Sequence, residues 1–254
     1  MIDERIAQRR AAVRDDHRRG RLRRTRRVVL VVLLLAGLVA LERSPLVGLE
    51  EVEVAGTQRL TTAQITDAAG LELGTSTLRL GLQAVTERIE ALPLVRRATA
   101  RRTDPLSVRI EVTERVPTLV ASGEGTSRYL DREGVVIDDV GPGEQRPPSL
   151  PVVALSAAPP AVGESVAADP TLANAHAVWS GLSGSLRAEV ATYRAAGPDE
   201  LTLELLSGIE VRFGRAERTE EKVRALGAVL DDVGDTPIAS IDVRAPQAPV
   251  VVGR

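Results

Sequence analysis

The most constraining feature of the sequence is a strongly basic N-terminal segment followed at once by an uncharged apolar run. Residues 1–27 contain eleven arginines and four acidic residues, a net charge of +7, whereas residues 28–254 contain 22 basic and 31 acidic residues, a net charge of −9. The apolar run covers residues 28–41 and is followed by Glu42 and Arg43. This asymmetry indicates a chain that meets a membrane surface or a nucleic acid.

Three interpretations of the apolar run compete. A cleaved signal peptide fits its length, but 27 residues precede it and no small-x-small cleavage site follows. A buried core helix would have to be apolar on all sides and lie directly behind eleven arginines. A signal anchor over residues 28–49 is favoured, although the run is shorter than the ~20 residues of a typical span, because arginine side chains can extend to the lipid headgroups. The flanking arginines expected to do so are Arg23, Arg24, Arg26, Arg27 and Arg43.

The same charge pattern predicts the orientation of the anchor. Basic segments stay on the cytoplasmic side of a plasma membrane, so residues 1–27 are expected in the cytoplasm and the folded remainder outside. The alternatives for Arg18 to Arg27 are contact with nucleic acid phosphates or with a cytoplasmic partner. Their position beside an apolar span favours anionic lipid headgroups. The sequence has no cysteine, so it offers no argument for a disulfide or a thiolate metal site.

Residues 50–118 have the pattern of a small α+β unit. A short alternating strand comes first, and Thr61 and Gln64 then have the spacing of a capping box that opens a helix. A second amphipathic helix is stopped by Pro93. Two extended segments follow, the second with strict alternation over residues 106–113. The order strand, helix, helix, strand, strand predicts two helices on one face of a three-stranded sheet.

Residues 119–245 predict a second, mostly antiparallel β domain with flanking helices. Short strands are expected in its first part, and Asp169-Pro170 opens a helix that ends at Gly184. A clear hairpin turns at Ser207-Gly208. A helix and a last strand, Ile238 to Arg244, complete the unit. Residues 246–254 are expected either to be loose or to add to the edge of the sheet.

No set of residues in the sequence has the spacing of an active site. The two histidines are interpreted as a solvated tail residue, His17, and a surface or boundary residue of a helix, His176. Adjacent aspartates do not face each other on a helix, and no cluster has the spacing of metal ligands. We therefore predict a protein that is not an enzyme and uses no metal or cofactor.

Short motifs occur in order behind the predicted anchor. They read Val-x-Gly-x-x-x-Leu-Thr at residues 54–61, Leu-Pro-x-Val at residues 92–95 and Val-x-Glu-Arg-x-Pro at residues 112–117. Together they resemble a POTRA domain of the FtsQ/DivIB cell-division family. Residues 129–131 and 241–245 resemble the start and the last strand of that family's second domain, with alanine where the family has tyrosine at the end of the strand.

The resemblance implies a bitopic scaffold at the division septum, and the use of arginine for every basic residue except Lys222, with abundant alanine, indicates a GC-rich bacterial genome. Such a protein links cytoplasmic division components to septal cell-wall synthesis, and its partners are small bitopic proteins of the FtsB and FtsL type, with septal wall synthases as further partners. An exposed final strand can take up a partner segment as an additional strand. Carried over by position, the partner-binding residues are Ser240, Ile241, Asp242, Val243, Arg244 and Ala245.

Two other classes of function stay open at this point. A POTRA-type chaperoning or transport accessory module is expected to carry a downstream barrel, and a membrane-anchored enzyme is expected to bury carboxylates in a deep pocket. The predicted fold class is α+β: a single transmembrane helix, a β-α-α-β-β POTRA domain and a second, mostly antiparallel β domain with flanking helices. The predicted boundaries of tail, anchor, POTRA domain, β domain and C-terminal tail are 1–27, 28–49, 50–118, 119–245 and 246–254.

Overall fold

A computed structural model describes residues 26–37, 40, 47–77, 80–141, 143–144, 147, 149–234 and 237–253 of the chain. Three predicted membrane-flanking arginines and one histidine lie outside these ranges, namely Arg23, Arg24, Arg43 and His17. Residues 26–37 form a helix whose valines and leucines are 50–68% exposed. Within the described ranges no helix is both long and apolar enough to cross a membrane. The anchor therefore stays a prediction, but its predicted end at residue 49 is wrong, because Leu49 is buried in the core of the first unit.

The first unit of the fold is a three-stranded sheet with two helices on one face. Its elements in chain order are β1 (Glu51–Ala55), α1 (Thr62–Ala69), α2 (Leu82–Glu90), β2 (Val95–Asp104) and β3 (Ser107–Glu114). The strand order is β1-β3-β2, with β1 parallel and β2 antiparallel to β3. The predicted order of strand, helix, helix, strand, strand is confirmed.

Local sequence signals explain these elements. The hydroxyl of Thr61 accepts a hydrogen bond from the backbone N–H of Gln64, and the Gln64 side chain accepts one from the N–H of Thr61, so the predicted capping box opens α1. Val108, Ile110 and Val112 alternate along β3 and are buried. The apolar side chains of the helices that pack with them are Ile65, Ala69, Val85 and Ile89.

The second unit is a nine-stranded sheet with helices packed on one face. Its strands are β4 (Pro117–Gly123), β5 (Thr126–Asp131), β6 (Val136–Asp139), β7 (Val152–Leu155), β8 (Val190–Gly197), β9 (Glu200–Leu205), β10 (Glu210–Arg212), β11 (Ile238–Asp242) and β12 (Val250–Gly253). Its helices are α3 (Pro170–Gly181), α4 (Gly184–Glu189) and α5 (Thr219–Val233). The strand order is β12-β11-β10-β9-β8-β7-β4-β5-β6, in which β4–β7, β7–β8 and β10–β11 are parallel pairs.

Two parts of the second unit differ from the sequence prediction. The helix that Asp169 opens ends at Gly181, and Gly184 begins the separate helix α4, which Ser183 caps. The sequence pattern also fails to predict β8. A register shift between Val190 and Thr192 breaks the two-residue alternation of buried side chains along this strand.

The main core of the second unit contains a buried amine. Lys222, the only lysine in the sequence, is buried on α5. Its Nζ donates hydrogen bonds to the carbonyl oxygens of Phe213 at 3.1 Å and Arg215 at 2.8 Å. The ammonium also lies 5.2 Å from the centre of the Phe213 ring, a cation–π distance. These contacts fasten the segment between β10 and α5 to the helix.

The C-terminal residues add a strand to the sheet. After β11 the chain turns, with the N–H of Ala248 donating to the carbonyl oxygen of Ala245 at 3.0 Å, and β12 then pairs antiparallel with β11. Valine is well suited to such an extended strand. β11 is therefore not the exposed final strand that the sequence predicts, because it lies between β10 and β12.

Candidate functional site

The outer edge of β12 is the open end of the large sheet. β12 pairs with β11 on one side, and no strand of the described chain pairs with its other side. The opposite end of the sheet is covered, because the N–H of Val136 donates to the carbonyl oxygen of Glu164 at 2.9 Å and the N–H of Gly163 donates to that of Val136 at 2.8 Å. An unpaired strand edge is a template for a further strand. The β12 edge is therefore the candidate site for a partner.

The side chains of β12 are apolar and exposed. Val250, Val251 and Val252 are 58%, 41% and 51% exposed. In the register of the pair, Ser240 lies opposite Val252 and Asp242 opposite Val250. Because side chains alternate along a strand, Val250 and Val252 lie on the sheet face away from the helices, and Val251 lies on the helix side. A strand added here would cover valines on both faces.

The residues predicted for partner binding within β11 do not form this edge. Ile241 and Val243 are fully buried in the core. Ser240 and Asp242 are half-buried, and the strand between them pairs with β10 on one side and β12 on the other. The prediction of an exposed edge at these four residues is wrong, because β12 occupies it.

Arg244 is exposed beside the edge, but it is already paired. Its Nε lies 3.0 Å from both carboxylate oxygens of Asp242, and its Nη2 lies 2.6 Å from Oδ2. This hydrogen bonding lowers the pKa of Asp242 and raises that of Arg244. A carboxylate of a partner can bind Arg244 by replacing Asp242 or at the remaining N–H donors of the exposed guanidinium. Ala245, which follows, is exposed in the turn before β12.

A shallow, charged surface adjoins the edge on the face away from the helices. Arg194 Nη2 lies 2.7 Å from Glu204 Oε2, and Arg212 Nε lies 4.0 Å from Glu210 Oε1. Sequence reasoning misses this surface because its residues come from β8, β9, β10 and the loops beside them, together with Arg244 after β11, and only the fold reveals the order of these strands. The residues that line it are Arg194, Ala196, Asp199, Glu200, Leu201, Thr202, Glu210, Arg212, Gly214 and Arg244.

His176 lies on α3 and packs against the β5–β6 turn, where a Cβ at Gly134 would lie 3.2 Å from its Cε1. It is half-buried, its ring centre lies 5.6 Å from that of Trp179, and its Nε2 is buried without a hydrogen-bond partner in the described structure. Burial lowers the pKa of His176, and the backbone of Arg132 and the charge of Asp131 partly oppose this. Among the residues whose positions are described, no three histidine or acidic side chains are placed to hold a metal ion.

Comparison with known proteins places both units in one family. Residues 47–115 match the family model described as "POTRA domain, FtsQ-type", and residues 118–244 match "Cell division protein FtsQ/DivIB, C-terminal". A protein of Streptomyces collinus named "Cell division protein FtsQ" is 30% identical over 242 residues, which cover 90% of each chain.

Two mycobacterial relatives carry the same name. The protein of Mycobacteroides abscessus is 31% identical over 225 residues, which cover 88% of this chain and 68% of the relative. The protein of Mycobacterium leprae is 31% identical over 213 residues, which cover 84% of this chain and 58% of the relative, so the chain spans little more than half of that protein. With both of its units matched, this chain belongs to the FtsQ/DivIB family of cell-division proteins.

Proposed function

We propose that the protein is a non-enzymatic, membrane-anchored scaffold that binds an extended segment of a small bitopic division protein, of the FtsB or FtsL type, along the outer edge of β12. The observation that carries the proposal is the open β12 edge with its exposed valines. The family membership supports a role in cell division. In this role the protein connects cytoplasmic division components to septal wall synthesis at the plasma membrane.

Strand addition at β12 uses two kinds of interaction. The backbone groups on the outer side of β12 pair with the partner, which gives affinity, and the side chains on either face give specificity. Covering Val250, Val251 and Val252, each about half exposed, contributes on the order of 1 kcal/mol per side chain, about half of the value for full burial. The partner segment that fits is extended and rich in β-branched or other apolar residues.

The residues first predicted as the site keep a supporting role in this proposal. Ser240, Ile241, Asp242 and Val243 hold β12 in the sheet through the β11–β12 pair. Arg244 lies at the end of the edge and is 61% exposed, so it can exchange the carboxylate of Asp242 for one of the partner. Such an exchange leaves the number of ion pairs unchanged and makes binding selective for an acidic residue at that position.

The membrane anchor is part of the same proposal. The helix over residues 26–37 exposes valine and leucine on all sides, and a helix that is apolar all round is stable when lipid or protein covers it. Arg26 and Arg27 are the first described residues of this helix and lie directly before its apolar part, where their side chains can reach the headgroups. With residues 1–27 in the cytoplasm, the two folded units lie outside the membrane, and the β12 edge meets partners there.

The first experiment is co-purification of the full chain with the FtsB-like protein of the same bacterium. The test variant carries Val250→Glu and Val252→Glu, which place two charges on one face of the edge. The matched control is Leu206→Glu, because Leu206 is 72% exposed in the turn of the β9–β10 hairpin and lies away from the edge. Loss of the partner in the test variant alone supports the site. Retention in both variants contradicts it.

An engineered disulfide separates two ways of using this edge. A partner strand can add to β12, or it can displace β12 and pair with β11. Ser240→Cys and Val252→Cys lie opposite each other, at a spacing that suits a disulfide, and the chain has no other cysteine. If the oxidised protein still binds the partner, the strand adds to β12. If only the reduced protein binds, the partner displaces β12.

A further inference from the structure

One arginine connects the first unit to the second. Arg115 lies between β3 and β4, and its Nη1 is 2.5 Å from Asp131 Oδ2 and 2.8 Å from Glu133 Oε2 at the β5–β6 turn. Its Nε donates to the carbonyl oxygen of Val95 in β2 at 3.2 Å. The side chains of Arg115 and Asp131 are 16% and 2% exposed. A single guanidinium therefore fastens β2 of the first unit to a turn of the second.

The carboxylate of Asp131 is held in place by backbone N–H groups of its own turn. Oδ1 of Asp131 accepts hydrogen bonds from the N–H groups of Glu133 and Val135, both at 2.9 Å, which leaves Oδ2 for Arg115. A second arginine, Arg96 of β2, also reaches the turn, since its Nη2 lies 2.5 Å from Glu133 Oε1. The turn thus orients the carboxylate of Asp131, whereas the carboxylate of Glu133 is held by Arg96 and Arg115.

Apolar packing and a third ion pair extend the contact between the units. Leu94, just before β2, packs against a small cluster on the face of the second sheet away from the helices, formed by Val120, Tyr129 and Ile137. Arg59 of the first unit lies 2.7 Å from Asp138 of β6. The junction therefore has an apolar centre with charged contacts around it.

Buried ion pairs of this kind fix geometry more than they add stability. Desolvation cancels much of the attraction between buried charges, while removal of one partner leaves the other charge uncompensated. The forked guanidinium of Arg115 also requires both carboxylates and the Val95 carbonyl at set angles. The cluster is therefore suited to select one orientation of the two units.

We infer that Arg115 is a positioning residue that fixes the angle between the two units and thereby the location of the β12 edge relative to the membrane anchor. The inference rests on the proposed function of that edge. From β5, at the junction, to β12 the sheet crosses seven strand intervals, or roughly 34 Å at ~4.8 Å per interval. Over that distance a rotation of about 20° at the junction moves the edge by about 12 Å.

The test measures the distance between the units directly. The full chain carries spin labels at Thr99→Cys in β2 and Ala228→Cys in α5, both exposed positions in a protein without other cysteines, and it is placed in lipid nanodiscs. Pulsed electron resonance is expected to show one narrow distance distribution. Arg115→Met is expected to broaden or shift this distribution by several ångströms, and Arg115→Lys is expected to restore part of it.

Two further variants keep the test decisive. Arg101→Met removes an exposed ion pair with Glu111 inside the first unit and is expected to leave the distribution unchanged. Glu133→Gln weakens the cluster from its exposed side, so it serves if Arg115→Met does not fold. A broad distribution in the unmodified protein, or unchanged distributions in both folded junction variants, would overturn the inference.

The failure of this inference is distinguishable from failure of the proposed function. The distance measurement requires no partner, so it tests the junction alone. In cells that depend on the variant, Arg115→Met is expected to retain the FtsB-like protein in detergent extracts but to give longer cells. The Val250→Glu and Val252→Glu variant is expected to lose both binding and division. Normal cell length with an altered distance distribution would contradict the positioning role of Arg115.

Discussion

Ile241 and Val251 lie opposite each other across the β11–β12 pair, yet Ile241 is fully buried and Val251 is 41% exposed. The two side chains point to the same face of the sheet, but only Ile241 has a strand on both sides. The boundary between the core and the candidate binding edge therefore falls between two adjacent strands.

This relationship predicts different costs for two similar truncations. Ile241→Ala is expected to lower the free energy of unfolding by about 2–4 kcal/mol, because it leaves a cavity in the core. Val251→Ala is expected to lower it by less than about 1 kcal/mol, and to weaken binding of the partner. Urea unfolding and co-purification measure the two effects. Equal losses of stability would contradict the assignment of β12 as an edge.

Glu114 is predicted to hold the loop before α1. Its carboxylate accepts hydrogen bonds from the backbone N–H groups of Gln58, Arg59 and Leu60 at 2.9–3.1 Å. Glu114→Gln is expected to cost about 1.5–3 kcal/mol at pH 7, the range for hydrogen bonds to a charged group. Glu111→Gln on the same strand removes only an exposed ion pair and is the control.

The loss at Glu114 is expected to depend on pH. Burial alone would raise the pKa of Glu114, but the three N–H groups outweigh it and the pKa is lowered. A carboxyl with a lowered pKa stabilises the folded state above its unfolded pKa, near 4.5, and loses this contribution as the pH falls through the folded value. Urea unfolding at pH 7 and pH 3.5 measures the change. The difference between wild type and Glu114→Gln should shrink at the lower pH, and a constant difference would refute this role.

The lowered pKa of His176 predicts a second pH dependence of stability, with the same sign as that of Glu114 but in a higher pH range. Its pKa is lowered in the folded protein, so the unfolded chain takes up a proton first and stability falls as the pH drops below about 6.5. His176→Gln is expected to flatten the stability curve between pH 7.5 and 5.5. The only other histidine is His17, which the sequence predicts to be a solvated tail residue, so His17→Gln is the control and is expected to leave the curve unchanged. Parallel curves for wild type and His176→Gln would show that this ring does not titrate on unfolding.

Replacement of Gly56 by alanine is predicted to destabilise the protein more than the same replacement at Gly74. Its φ is +88°, and a Cβ at this position would lie 2.1 Å from the carbonyl oxygen of Val112. Gly74 has a similar φ of +86° but open space around it. Gly74→Ala is therefore expected to cost about 1 kcal/mol from backbone strain, whereas Gly56→Ala is expected to cost at least twice as much. The difference in thermal stability between the two variants measures the steric clash with Val112, because both variants have similar backbone strain.

The first unit was predictable because its signals are local. The capping box of Thr61 and Gln64 opens α1, and the alternation of Val108, Ile110 and Val112 follows β3. The strand β8 could not be predicted in the same way. Its buried residues Val190, Tyr193 and Ala195 do not follow a two-residue alternation, because the register shifts after Val190. Periodicity arguments require an uninterrupted strand.

The candidate site was only partly predictable. The family resemblance of residues 241–245 points to the end of the sheet that carries the open β12 edge, and the sequence left open whether residues 246–254 are loose or add to that edge. Which strand is outermost depends on pairing between distant segments, and three consecutive exposed valines show no alternation that would reveal it. The contact of Arg115 with Asp131 likewise depends on how two separately folded sheets meet.

The burial of Lys222 has a practical consequence for mapping complexes of this protein. Amine-reactive crosslinkers require an accessible lysine, and the only one in the sequence has its Nζ between the carbonyls of Phe213 and Arg215. Such reagents will report no contacts from the folded units, even when partners are bound. The same amine is a natural reporter of opening, because its modification rate measures how often α5 separates from the sheet.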